Sequence, residues 1–181
     1  MTNSEKYLLI IQVASYLVLV IGLIVAIVQL HQFRKQQRIE HDWKRRSKAF
    51  GYSFSDDPEM LKVLTRLDAH IKVSSKKSSE IGLGEIEKFS KSEYPEIKND
   101  IHFVLARLEY MCTAMKHAVA DEEICRDLLE NRTIAFYRFF RQYIDDIRER
   151  RGSKKILINV EHYANKWSEK NNFEERIPTD R

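Results

Sequence analysis

The sequence predicts an all-α protein with a single N-terminal transmembrane helix, a basic stalk that continues it, and a cytoplasmic helical bundle. Three observations carry that expectation. From Tyr7 to Leu30 there are 24 residues without a formal charge. After Pro95, apolar residues recur at helical spacing: Ile97, Ile101, Val104, Leu105, Leu108, Met111, Cys112, Met115 and Val119. Nowhere do apolar and polar residues alternate over the length of a strand, which leaves the body to fold as helices around one shared core.

As a helix the uncharged run reaches about 36 Å, more than the roughly 30 Å of a bilayer's hydrocarbon core. It can span with some tilt. The run is too long for a signal-peptide core and passes straight into "HQFRKQQR", so it reads as an uncleaved anchor covering residues 1–30. The net charge of +4 is unevenly spread, because residues 31–48 hold seven basic and two acidic residues, a local +5, and residues 49–181 sum to about −1. A one-sided basic collar favours the cytoplasmic side, which places residues 31–181 in the cytoplasm and the short N-terminus outside. The basic character therefore belongs to the collar, and no nucleic-acid partner is expected. In a reducing cytoplasm Cys112 and Cys125 stay unpaired, and the sequon Asn131-Arg132-Thr133 carries no role.

The span contains a second pattern. Gln12, Ser15, Leu19, Gly22, Ala26 and Gln29 are separated by three, four, three, four and three residues, the spacing that keeps one stripe facing a partner helix. Small side chains allow close approach and amides can bond across an interface, so Gln12, Ser15, Gly22, Ala26 and Gln29 form a candidate self-association face. The alternative is that both glutamines simply reach the headgroups and the small residues have no partner.

Between His31 and Phe50 neither Pro nor Gly interrupts the helix, so the anchor continues as a stalk over residues 31–55. Arg34, Arg38, Arg45 and Lys48 fall on one arc, with Ile39, Trp43 and Phe50 opposite. That basic face is a candidate contact for anionic lipid, Trp43 and its neighbours packing on the body or on another stalk. The bland reading is that the charges only set topology.

"GYSFSDDPEM" ends the stalk and opens a bundle over residues 56–170, with Asp57 as N-cap and Pro58 in the first helical position. Met60, Leu61, Leu64, Leu67 and Ile71 line the first helix, and "KVSSKKSSEIGLGE" follows as a surface loop. Gly82 and Gly84 lack the strand and the Gly-Lys-Ser/Thr of a phosphate loop. Next comes the stripe that begins at Ile97, a helix of about 24 residues. Asp121 caps the following helix, in which Ile124 and Leu128 point inward; the rhythm fails at Asn131 and Arg132, resumes at Ile134 and stops at Gly152. Leu157, Val160, Ala164 and Trp167 make a last helix, and residues 171–181 form a polar tail.

No residues assemble into a catalytic or metal site, and no cofactor is expected. Cys112, His117 and Cys125 lack a fourth ligand, and Cys112 sits on an apolar stripe. Glu109 and Arg148 each flank such a stripe and are expected to form an interhelical ion pair that fixes register. Asp145 and Asp146, about 100° apart on a helix, read as solvated surface. Phe136, Tyr137, Phe139, Phe140 and Tyr143 read as core.

The segment from Leu105 to Trp167, with "LEYM", "VADEEI", "YIDDIRER" and a late Trp, resembles the domain of unknown function 4760 family. The resemblance implies a small bacterial protein with one N-terminal membrane helix and a cytoplasmic helical domain, and carries no catalytic or ligand residues. The function expected is a non-enzymatic interaction or scaffold module, in contact with membrane lipid, self-associating, and binding a protein partner. The alternative is a membrane-perturbing effector, as in phage defence; a membrane-bound hydrolase is the third reading.

Overall fold

In the computed structural model the backbone is described for residues 3–72 and 81–174, and side chains for residues 16–72 and 81–170. Among these residues there are seven α-helices and no strand: α1 (Asn3–Phe50), α2 (Pro58–Ile71), α3 (Leu83–Lys91), α4 (Ile97–Lys116), α5 (Glu122–Phe139), α6 (Arg141–Arg150) and α7 (Ile158–Glu174). The all-α expectation holds. The chain forms two compact units, Met1–Trp43 and Lys44–Arg181. The second takes in the end of the expected stalk, where Ala49, Tyr52 and Phe54 are buried.

In the first unit, α1 runs without a break from the uncharged segment into the basic collar, and one helix from Tyr16 onward is long and apolar enough to cross a membrane. Each large apolar residue from Tyr16 to Leu30 is 47% exposed or more. The side chains of Gln12 and Ser15 lie outside the described residues, as do loop residues 73–80 and the side chains of the tail from Asn171.

In the second unit α4 is central, contacting α2, α3, α5 and α7, while α5 lies along α7. Its stripe is buried as its spacing predicts, from Ile97, Ile101, Val104 and Leu105 to Leu108, Met111 and Cys112. Burying each such side chain contributes about 1.5–3 kcal/mol. The start of α2 is also as read: the Asp57 carboxylate accepts from the amides of Glu59 and Met60 at 3.1 Å, with Pro58 in the first turn. Trp167 is buried on α7 with Val160 and Ala164.

Four local expectations are corrected. A helix, α3, follows Gly82 where a loop was expected; it forms because Ile86 is buried with Leu83 and Phe89 against the core, and the Ile81 amide donates to the Phe139 carbonyl at 3.0 Å. Helix α4 stops at Lys116, because Ala118 turns left-handed (φ 55°) and the Val119 amide bonds back to Ala114 at 2.8 Å, leaving Val119 exposed. In α5 Ile124 packs against the core as expected, but Leu128 is exposed and the fully buried residues of these turns are Cys125 and Leu129. Helix α5 also runs through Asn131 and Arg132, which are its exposed face; Thr133, buried, gives its hydroxyl hydrogen to the Leu129 carbonyl at 2.9 Å.

The interruption falls instead at Phe140, which separates α5 from α6 while the Phe140 and Ile144 amides keep their bonds to Phe136 and Phe140. Phe140 stacks on Phe136 at 5.9 Å and meets Phe139 edge to face at 5.0 Å. The expected end at Gly152 is present, left-handed at φ 59°.

Candidate functional site

Of the candidate association stripe on α1, the described members Gly22, Ala26 and Gln29 are all exposed. A Cβ built on Gly22 would meet no atom within 4 Å, so nothing inside the chain requires a glycine there. In the basic face, Arg34 and Arg38 are exposed on the first unit, as is Trp43 at 70% and Ile39.

Arg45 and Lys48 are engaged within the second unit. Arg45 is partly buried, its Nη2 lies 3.8 Å from the Asp121 carboxylate, and its backbone carbonyl accepts from the Asp121 amide at 3.3 Å. The cause is the capping role of Asp121, whose other carboxylate oxygen accepts from the Ile124 amide at 3.3 Å and so holds a negative charge at this corner. The Arg45 Nε is buried without a partner. Lys48 sets its ammonium 6.0 Å from the Tyr52 ring. Arg45 thus has a carboxylate neighbour within the helical body.

The expected Glu109–Arg148 pair is not made, because both residues turn to α7. Glu109 accepts from the amides of Asn159 (3.3 Å) and Val160 (2.9 Å) and from the Asn159 side chain (2.8 Å), closing the first turn of α7. That start has no cap of its own: Leu157 precedes it in a left-handed conformation. Arg148 bonds Glu161 at 2.8 Å and the Ile156 carbonyl at 2.9 Å, so its register role is exercised toward α7. Glu161 also accepts from the Tyr137 hydroxyl at 2.7 Å. Burial would raise the Glu161 carboxyl, but the bonds from Tyr137 and Arg148 hold it below its ordinary value, and burial with the same bond pushes Tyr137 up to about 12.

A buried acid, Asp100, escaped the sequence reading. Asp100 lies on the inner face of α4, where Arg66 of α2 donates Nε and Nη2 to its two oxygens at 2.7 Å each and Tyr94 donates its hydroxyl. Burial opposes ionisation of Asp100, yet these bonds hold its carboxyl below its ordinary value. The signal was available, since Asp100 sits one turn after Ile97, within the stripe, and a carboxylate there demands a partner.

These arrangements do little chemistry. Burial, with the nearby acids, pushes the Cys125 thiol up to about 12 and Cys112 higher still, so neither is a ready nucleophile. Asp145 is exposed beside Arg141 and Arg148, and Asp146 pairs with Arg150. Phe136, Tyr137, Phe139, Phe140 and Tyr143 are buried as core. Among the described residues no three His, Cys, Asp or Glu side chains converge as a metal site. An open groove of about 680 Å³ lies along α6 and α7, but the Arg148 and Glu161 in its wall already satisfy each other.

No curated protein and no solved structure matches this chain. The model of the domain of unknown function 4760 family matches residues 16–167, from within the apolar segment of α1 to Trp167 of α7, and the chain belongs to that family.

Proposed function

We propose that this protein is a single-pass protein of the bacterial inner membrane, with α1 as its anchor, the N-terminus outside and residues 31–181 in the cytoplasm. Its helical body is a non-enzymatic module that binds further copies of itself and a protein partner, and the basic residues beside the anchor, Arg34 and Arg38 foremost, meet anionic lipid. One observation carries the reading: α1 passes from an apolar surface exposed on every side directly into a basic collar, within one helix. The twelve large apolar residues exposed around the helix from Tyr16 to Leu30 are a surface that water disfavours and hydrocarbon accepts. The one-sided charge supplies the orientation. Gly22, open to its surroundings, supports association through the span.

The test is membrane fractionation combined with a reporter fused after Arg181. The protein is expected to remain in the pellet after an alkaline wash, and the fusion to show cytoplasmic reporter activity. Release by the wash would exclude a spanning helix, and periplasmic activity would reverse the orientation.

A further inference from the structure

Between α4 and α6 lies a cleft of about 290 Å³, lined by Lys98, Asn99 and His102 from α4, Tyr143, Ile147 and Arg150 from α6, and Arg151 just beyond. Its frame is tied, because the buried Tyr143 donates its hydroxyl to the Lys98 carbonyl at 3.3 Å and Ile147 is buried beneath it. Four cations elsewhere in this body meet carboxylates of other segments: Arg66 with Asp100, Arg107 with Asp57, Arg148 with Glu161 and Lys166 with Glu122. Here the matching fails. Arg150 is paired with Asp146 of its own helix, whereas Lys98, His102 and Arg151 have no ion-pair partner among the described residues. Three formal cations and one carboxylate leave the cleft at +2 before His102 is counted. Like charges held together without a counter-charge repel one another, and the repulsion is relieved when an anion binds.

We infer that this cleft is a binding site for a phosphomonoester dianion, with Lys98 and Arg151 as its principal ligands, Arg150, His102 and Asn99 as further donors, and Ile147 as the apolar floor. The charge of the ligand follows from the surplus, since a dianion neutralises +2. A guanidinium offers paired donors and an ammonium a point charge, the combination that recognises phosphate oxygens. Size limits the rest: a cleft near the lower bound of ligand pockets holds a phosphate with a small organic group. The same group is carried by soluble phosphate esters and by the headgroup of phosphatidic acid, and the experiment separates these two sources. The inference is independent of the membrane orientation, because all seven lining residues belong to the second unit.

The test is calorimetric titration of phenyl phosphate into the full-length protein in a neutral detergent at about 0.1 M salt. Saturable binding tighter than about 1 mM is expected. Lys98→Gln with Arg151→Gln should weaken it by about tenfold or more, the loss of two charge-assisted bonds. Lys62→Gln with Lys91→Gln, which removes the same charge from other exposed positions, should leave it within about twofold. Unchanged binding in the first pair, equal losses in both pairs, or no saturation would overturn the site. Helix content and melting temperature of each variant show that the fold is kept, and Arg151→Ala alone serves if the double variant does not fold. Repeating the titration in phosphatidylcholine nanodiscs with and without phosphatidic acid identifies the source: competition by phosphatidic acid assigns the site to the headgroup, and equal affinities assign it to a soluble ester.

Discussion

Glu109 shows how a single carboxylate can close a helix that its own sequence leaves open. The residues before Ile158 offer Lys154, Lys155, Ile156 and Leu157, none of which can accept an amide hydrogen through its side chain, so the first turn of α7 depends on an acceptor from α4. Replacing Glu109 by Ala strands the amides of Asn159 and Val160 in a half-buried position. Glu109→Ala should cost about 2 kcal/mol of stability, read as a lowered urea midpoint with an unchanged slope, and Glu109→Gln should recover part of it. A midpoint equal to that of the parent protein would mean that water replaces the carboxylate fully.

Helix α1 takes a different lesson from its neighbours, since its apolar residues answer to no core in the chain. Exposed Gly22, Ala26 and Gln29 share a spacing that brings them to one side, while Val20 and Ile24 lie elsewhere on the helix. If this side joins two spans, cysteines placed one at a time from residue 16 to residue 29 should crosslink with a three-four periodicity peaking at 22, 26 and 29. Gly22→Ile should then reduce crosslinking at Ala26→Cys several-fold, and Ile24→Leu should not. A flat profile, or maxima at Val20 and Ile24, would transfer any self-association to the helical body. The interruption between α5 and α6 occurs where three phenylalanines pack together, whereas polarity at Asn131 and Arg132 only marks the solvent side of a continuous helix.

At the scale of the whole bundle, stability is tied to two carboxylates that join separate helices, buried Asp100 between α4 and α2 and partly buried Glu161 between α7, α6 and α5. Each is held below its ordinary value, 3.8 for Asp100 and 4.5 for Glu161. A depressed carboxyl stabilises the fold at pH values above its unfolded-state value, and that contribution is lost as pH falls through the lower folded-state value. The bundle should therefore hold its urea midpoint from pH 7 to about pH 5 and lose stability steeply below about pH 4. Asp100→Asn should lower the midpoint at neutral pH and flatten the decline below pH 4. An equal decline in the variant and the parent would assign the acid sensitivity to other groups.

The elements whose apolar residues recur over many turns were legible in the linear sequence: α1 by its uncharged length, α4 by its stripe, the start of α2 by Asp57 and Pro58, the end of α6 by Gly152. Such signals are local, since they rest on periodicity, a side-chain cap and the φ freedom of glycine. What joins the helices was decided by tertiary structure. Short α3 exists because Ile86 finds the core, α5 buries Cys125 and Leu129 and leaves Leu128 exposed, and Glu109 and Arg148 meet α7 instead of each other. The candidate anion cleft likewise collects residues from position 98 to position 151 that no sequence spacing relates. The physical reason is the same throughout: a periodic pattern specifies which face of a helix turns inward, but charged and capping groups bond to whichever element packing brings within about 3 Å, and that distance is set only when the helices dock.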